Sequence, residues 1–430
     1  MLLQILTMNT LFNWHNQWYP IAIQKFTDRT KPFKTIVLDT PIVTWYDKNT
    51  EYWNTVIDRC PHRGAPLSEG RLQNGNIQCP YHGYQFNACG DCVHIPQSNK
   101  NNDKNFLSKM NTCCKITTVS EDIIWIWMNS SSFPTKDPPR YIKSKEQAKS
   151  YFIEDYMTSV PFDFRYLQEN IMDVSHTAFT HHATQSHRSF ATPIEYKIKS
   201  KINKNGFSMI SRNIPDTEFS RYNKFIAPSY HVTSIKRKIF GISFNNTLVT
   251  YALPISQGYS QVISRFIIEG LPKIFLIIIN IIPTWYRHLK VNEFVEDDII
   301  MINRMQEYNK QNNKYRILVD SDTPVVIWNK WLKIFTNYST LLKSNINSFT
   351  YKNNLQLLDR YERHTKHCIV CLHAKDRLKI YKRIFNVLLI IFLLQRNLIL
   401  SFLTLQIIFI LQNFIKRFDT GTYPPKRNFH

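Results

Sequence analysis

The sequence predicts an α+β protein: a small antiparallel-β domain, a larger domain on a second antiparallel sheet, and hydrophobic helices at the C-terminus. Three observations carry this reading. Short β-branched and aromatic runs closed by turn residues fill the stretch from Lys34 to Met128. A second strand-rich stretch, residues 191–270, lies between a helical segment beginning near Phe162 and a long helical pattern over 286–312. Two apolar runs, Phe385–Leu394 and Leu398–Leu411, then change the character of the chain. A length of 430 residues suits two compact domains with accessory segments.

In chain order, "KTIVLDTPIVTWYD" (Lys34–Asp47) and "EYWNTVID" (Glu51–Asp58) read as strands, with turns expected at Asn74-Gly75 and Gly90-Asp91. "DIIWIWM" (Asp122–Met128) reads as a buried strand and closes a first domain over residues 14–130. "SSSFPTKDPPR" (Ser130–Arg140) is a linker by composition. A second domain is expected over 150–350, moving from strand to helix near Phe162 and then through strands such as "TLVTYALPI". "FLIIINIIPTW" (Phe275–Trp285) is too short to span a bilayer and reads as a buried or interfacial helix. Residues 351–383 carry Cys368-x2-Cys371, and 384–416 form a hydrophobic anchor segment. Each tail run is shorter than the ~20 residues of a spanning helix. Together they allow one span or a shallow helical hairpin, and Lys375, Arg377, Lys379, Lys382 and Arg383 suit an anionic surface beside the first run.

A net charge of +22 and a pI of about 9.6 imply an acidic partner or surface. No basic–aromatic pattern for nucleic acid is present, which leaves an acidic electron donor or an anionic membrane. The opening "MLLQILTMNTLF" lacks the basic n-region and long apolar core of a secretory signal, and is too short and too poor in Ser and Arg for a transit peptide. The 8 cysteines fall in close groups, which in such a chain points to metal or redox chemistry rather than a disulfide framework.

Two constellations carry chemistry. The first is Cys60-Pro-His62 with Cys79-Pro-Tyr-His82, each pair on a loop between strands. Zinc sites mostly use Cys-x2–4-Cys with His-x3–5-His. One thiolate and one imidazole from each of two loops instead suit a [2Fe-2S] centre in which two His replace two Cys on one iron. Pro61, Gly64, Pro80 and Gly83 fit tight loops around such a centre. Cys89 and Cys92 flank an expected hairpin turn, and Cys113-Cys114 must point to opposite faces of a strand, so that one enters the core.

The second is Asp173-x2-His176-x4-His181, followed by His182 and His187; the alternative is a His-rich surface loop in which those last two are solvated. On a regular helix His176 and His181 stand about 140° apart. They can share one ion only if the helix bulges or ends near Phe179. A non-haem Fe(II) site needs two His and one carboxylate with open positions for O2. The carboxylate is sought in "NEFVEDDIIMINRMQE", among Glu296, Asp297 and Asp298. Asp298 is favoured because it shares a face with Ile302 and Met305, and Asp297 is the alternative.

These motifs together, "CPHRGAPLSEG", "CPYHGYQF", "CVHIPQ" and "ENIMD-x2-H-x4-H", resemble the Rieske-type non-haem iron oxygenases. Within them the chain is similar to the pheophorbide a oxygenase (cell-death-suppressor, lethal-leaf-spot) branch of cyanobacteria and plastids. "WHNQWYPIAI" near the start, "RHTKHCIVC" and the apolar tail support that branch. The resemblance implies a Rieske domain, a helix-grip-like catalytic domain, a cluster on Cys60, His62, Cys79 and His82, and mononuclear Fe(II) on His176, His181 and an Asp near 298. It implies that Asp173 bridges cluster and iron ligands between subunits of a homo-trimer. It implies O2, ferredoxin-derived electrons and a chlorophyll-derived tetrapyrrole such as pheophorbide a, at a thylakoid or envelope membrane. A chlorophyllide or protochlorophyllide oxygenase and the Rieske redox component of the chloroplast inner-envelope import machinery are the alternatives. Cys368 and Cys371 read either as a thioredoxin-regulated disulfide or as a free pair, with His364 and His367 adding the option of adventitious metal binding. The chain departs from the family pattern at Tyr84, where Trp is usual, and at Cys89, in an Asp-like turn position. A third departure is one extra residue between Asp298 and Gln306.

Overall fold

The structure, a computed structural model, describes residues 11–141, 151–239, 241–312, 316–317, 319–338, 342 and 353–428. The opening decapeptide, both ends of the expected 150–350 domain and the first two residues of the 351–383 segment lie outside the described residues.

The first part builds three small antiparallel sheets. Strands β1 (Trp18–Ile23), β11 (Ile123–Trp127) and β10 (Thr117–Ser120) form one, in that order. Strands β2 (Phe33–Val37), β3 (Thr40–Asp47), β4 (Tyr52–Ile57) and β9 (Cys114–Lys115) form the second. Strands β5 (Arg71–Gln73), β6 (Asn76–Gln78), β7 (Gln85–Phe86) and β8 (Cys92–His94) form the third. The run "IIWIW" of β11 is apolar throughout because that strand is central and covered on both faces. Leu38 and Asp39 both take positive φ, so the β2–β3 hairpin closes in two residues and Leu38 is tucked into the core. Cys114 packs half-buried and Cys113 is exposed, as their alternation requires. Cys92 is buried and Cys89 sits exposed on the turn.

The second part is a seven-stranded antiparallel sheet in the order β12-β18-β17-β16-β15-β14-β13. Its strands are β12 (Tyr151–Val160), β13 (Ile194–Asn203), β14 (Gly206–Asn213), β15 (Arg221–Ile226), β16 (Tyr230–Ile239), β17 (Ile242–Ser256) and β18 (Tyr259–Glu269). Helices α1 (Phe164–Met172) and α2 (Thr177–Thr180) follow β12. After the sheet come α3 (Lys273–Ile281), the long α4 (Thr284–Asn312) and α5 (Thr323–Phe335). Helix α5 brings Trp328 and Trp331 against Phe225, the two indoles stacked at 5.3 Å. One apolar core runs through both parts, joining Tyr19, Ile21 and Ile126 to Phe162, Phe164 and Trp328. At the same junction Arg265 of β18 donates to the Asp155 carboxylate at 2.6 Å and to the carbonyl and carboxylate of Glu121 in the β10–β11 turn.

Helix α4 is fastened along β12 by polar side chains. His288 bonds to the Asp155 carbonyl (3.0 Å), Tyr156 to Asn292 (2.7 Å), Asn303 to the Pro161 carbonyl (2.8 Å) and the Asp163 amide to Gln306 (2.6 Å). Glu296 receives the guanidinium groups of Arg360 and Arg363, each at 2.7 Å. Of the expected apolar face beside Asp298, Ile302 is buried but Met305 is exposed, because the inward face of α4 is set by this polar series rather than by apolar spacing.

The tail resolves into a hairpin of two helices rather than one continuous helix through both apolar runs. Helix α6 (Arg360–Arg363) leads to α7 (Ile369–Leu394) and α8 (Leu398–Asp419), with the turn closed at Arg396 by a positive φ. Helix α8 is long and apolar enough to cross a membrane, and only 17% of its apolar window is buried. Helix α3 is not buried as one alternative had it: Ile274, Phe275, Ile277, Ile278 and Ile281 are all exposed. It meets α4 at an 86° bend at Pro283, whose ring holds Ile282 in extended backbone.

Replacing Arg265 by Met is expected to cost about 3–5 kcal/mol, because it leaves the Asp155 and Glu121 carboxylates buried with less compensation. The exposed pair Lys366–Glu362 is the control, and Glu362→Gln is expected to cost less than about 1 kcal/mol. Urea unfolding of the two variants measures the contrast.

Candidate active site

The two Cys–His loops are twins. In each, the Cys amide bonds to the carbonyl five residues on (Cys60 to Ala65, Cys79 to Tyr84, both 2.8 Å). In each, a glycine four residues on bonds back to the Cys carbonyl (Gly64 at 2.8 Å, Gly83 at 3.1 Å). Both glycines need positive φ, +78° and +75°. The result buries both sulfurs and leaves both imidazoles half-buried at the surface, their rings 4.6 Å apart. Burial and the neighbouring Cys79 push the Cys60 thiol up to about 11. Two buried thiols facing each other are the donors a ferric ion would deprotonate, and the buried Nδ1 of His62 has no protein partner. Tyr84, in the position where Trp is usual, stacks on His62 at 4.7 Å and 4° and so keeps an aromatic wall there.

In the second constellation the helix is interrupted twice. Helix α1 stops at Asp173, which is extended, and His176 and His181 flank the single turn α2. That break undoes the angular mismatch of a regular helix. The two Nε2 atoms lie 3.3 Å apart, and each is 3.5 Å from a carboxylate oxygen of Asp298 on α4. All three donor atoms fall within 4.8 Å of one another. Asp298 Oδ1 is buried without a hydrogen bond, which suits a cation between the three groups. Behind the rings stand two more acids: Asp173 is 3.7 Å from His176 Nδ1, and Asp297 is 3.6 Å from His181 Nδ1. Asp297 is held by Thr184 (2.7 Å) and Arg427 (3.3 Å), and so faces the back of His181 rather than the Nε2 side. Glu296 is committed to its arginines. Burial lowers the His176 pKa, but Asp298 and Asp173 outweigh it and the net shift is upward. His182 is buried and His187 is exposed, so only the second fits a solvated loop.

A cavity of about 400 Å³ opens beside this triad. Val160, Phe162, Leu167, Val262 and Phe266 line it with apolar surface, and Arg221 and Arg237 add two guanidinium groups. Neither arginine was legible as a site residue, since each sits in an ordinary strand pattern far from the motif. Arg427 and Thr184 likewise gave no local signal.

Residues 17–115 match the model of the Rieske [2Fe-2S] domain, and residues 225–315 match that of pheophorbide a oxygenase. The chloroplastic pheophorbide a oxygenase of Arabidopsis thaliana is 27% identical over 410 residues, covering 86% of this chain and 74% of that protein. Flavonoid 8-hydroxylase 2 of Ocimum basilicum, also chloroplastic, is 28% identical over 85% of this chain and 75% of its own. Among solved structures, dicamba monooxygenase bound to dicamba superposes with a TM-score of 0.58 at 20% identity, covering 75% of this chain and 98% of that one. A Rieske domain joined to a seven-stranded catalytic domain of this fold defines a Rieske-type non-haem iron oxygenase, an oxidoreductase using a [2Fe-2S] cluster and mononuclear iron. Within that class the chain carries a match to the pheophorbide a oxygenase model over residues 225–315 and is similar along most of its length to chloroplastic pheophorbide a oxygenases.

Gly83→Ala tests the twin-loop geometry. Its Cβ would stand 2.9 Å from Pro96 at a strained φ, so the variant is expected to lose most of the Rieske EPR signal while its far-UV circular dichroism is kept.

Proposed function

We propose that this chain is a membrane-associated plastid monooxygenase acting on a chlorophyll-derived tetrapyrrole that carries a free carboxylate. One observation carries the reading: two imidazole Nε2 atoms and the Asp298 carboxylate converge beside an apolar cavity that also presents Arg221 and Arg237. Apolar walls suit a flat macrocycle. Arg221 has a buried Nε without a partner, which suits a propionate. The similarity to pheophorbide a oxygenases points the same way.

In this reading Cys60, His62, Cys79 and His82 hold the cluster, and His176, His181 and Asp298 hold the iron. When bound, these centres supply single electrons, drawn from an external donor, and the activation of O2. The chain's own groups do the positioning. Asp173 and Asp297 stand 3.7 and 3.6 Å behind the rings, too far for a hydrogen bond, but their negative charge favours the imidazole proton on Nδ1 and leaves Nε2 as the lone-pair donor. Val262, Phe266 and Leu167 keep water from the reacting face. Asp173 also keeps one carboxylate oxygen free of its Ser175 bonds and its side chain partly exposed, as a bridge to a cluster imidazole of a neighbouring copy in a trimer requires. The excess of +22 suits an acidic ferredoxin as donor. Thioredoxin does not enter this reading, because Cys368 and Cys371 are buried and offer no surface to a protein reductant.

Membrane association rests on the exposed apolar faces of α3 and of the α7–α8 hairpin.

After anaerobic reconstitution with iron and sulfide, His176→Ala is expected to keep the Rieske EPR signal and lose oxygenation of pheophorbide a. Unchanged turnover would sink the iron assignment, and a wild-type chain that cycles its cluster without oxidising any tetrapyrrole would favour a pure redox component. In flotation with anionic vesicles, Ile277→Asp/Ile278→Asp is expected to bind several-fold less than wild type. Equal flotation would remove α3 from the membrane contact.

A further inference from the structure

A second donor cluster lies away from the iron triad and plays no part in the chemistry above. His288 of α4, His364 just past α6, and Cys368 and Cys371 at the start of α7 are all buried, and one donor atom from each falls within 4.8 Å of the others. Cys371 Sγ is 3.4 Å from His288 Nδ1 and 3.3 Å from His364 Nε2, and Cys368 Sγ is 3.6 Å from His288 Nδ1. A tetrahedral ion with zinc-like bonds to sulfur and nitrogen has a nitrogen–sulfur edge of about 3.6 Å. The spacing therefore suits one ion, and is too tight for a two-iron cluster.

The tautomers are fixed from behind. His288 Nε2 bonds to the Asp155 carbonyl at 3.0 Å, with Glu154 at 3.3 Å, and His364 Nδ1 bonds to the Met157 carbonyl at 2.6 Å. A carbonyl can only accept, so each of those nitrogens carries the proton. The other nitrogen of each ring then turns a bare lone pair toward the sulfurs. Backbone carbonyls orienting imidazoles in this way are the usual outer support of a metal site. Tyr156 stacks on His364 at 4.6 Å and Phe26 packs edge-on to His288 at 4.9 Å, so water has little access. Two thiolates and a divalent cation cancel in charge, which is what so dry a site demands. A disulfide would leave two oriented lone pairs facing sulfurs with no proton to share.

We propose that His288, His364, Cys368 and Cys371 bind a zinc ion in a closed, four-coordinate structural site. The ion ties α4, the helix that bears Asp298, to the base of the C-terminal hairpin. A tetrahedral set of two sulfurs and two nitrogens with no open position selects zinc over hard cations.

The test uses the full chain, purified anaerobically in detergent, in protein whose Rieske EPR signal accounts for full cluster occupancy, so that Cys60 and Cys79 are not free to take zinc. Elemental analysis is expected to find about one zinc per chain beyond the iron. The Cys368→Ser/Cys371→Ser variant is expected to lose that zinc and keep the Rieske signal. If that variant does not fold, cobalt exchanged into the wild-type chain decides: intense tetrahedral d–d bands with thiolate charge transfer support the site. Absence of zinc, zinc retained in the double variant, a Cys368–Cys371 disulfide in peptide mapping of the purified chain, or cobalt spectra without thiolate bands would each overturn it.

Discussion

Strand β12 and helix α4 lie along each other, and their contact is made largely by polar groups. His288, Asn292, Asn303 and Gln306 each reach a backbone group or hydroxyl on or just beyond β12. Glu296 is locked between Arg360 and Arg363, with no water-facing side. An apolar interface tolerates small slides, whereas hydrogen bonds and a buried ion pair lose their worth within an ångström. This series therefore fixes the rotation of α4 about its axis. That rotation decides that Asp298 faces both Nε2 atoms and Asp297 faces the back of His181. The cavity, the triad and the tail all take their places from it.

Much of this was legible in the chain. Pro and Gly at matched spacing around Cys60 and Cys79 dictated tight loops, because a backbone that must take positive φ at a fixed offset leaves few residue choices. That the helix must bulge or end near Phe179 for His176 and His181 to share an ion followed from angle; the earlier stop at Asp173 did not. The alternative between Asp297 and Asp298 stayed open because adjacent helical residues differ by about 100°, and only tertiary contacts set the zero of that angle. The supposed apolar guide, Met305, points to solvent. Arg221, Arg237 and Arg427 were not legible at all, since each comes from an element remote in sequence. The same holds for His288, which no spacing rule connects to Cys368.

Around the triad, the electrostatics are layered. Three acids share a small volume with two imidazoles, and the balance of buried charge is negative before any cation arrives. Asp297 is offset by Arg427 and Thr184, and Asp173 by Ser175. Asp298 has no such offset on its buried Oδ1. The uncompensated oxygen is thus the one that faces the imidazoles, and the compensated ones stand behind. This division lets three acids sit together without mutual expulsion.

The right-angle bend at Pro283 has a consequence for where the reaction takes place. If α3 lies flat in a lipid surface, as the membrane association proposed above requires, α4 rises away from it almost perpendicularly. From Thr284 to Asp298 the helix climbs roughly 20 Å at about 1.5 Å per residue. That height exceeds the headgroup layer, so the oxidising centre stands clear of unsaturated acyl chains. On that reading a substrate drawn from lipid would have to be lifted out of the bilayer to reach it, and extraction would be a step of its own in turnover.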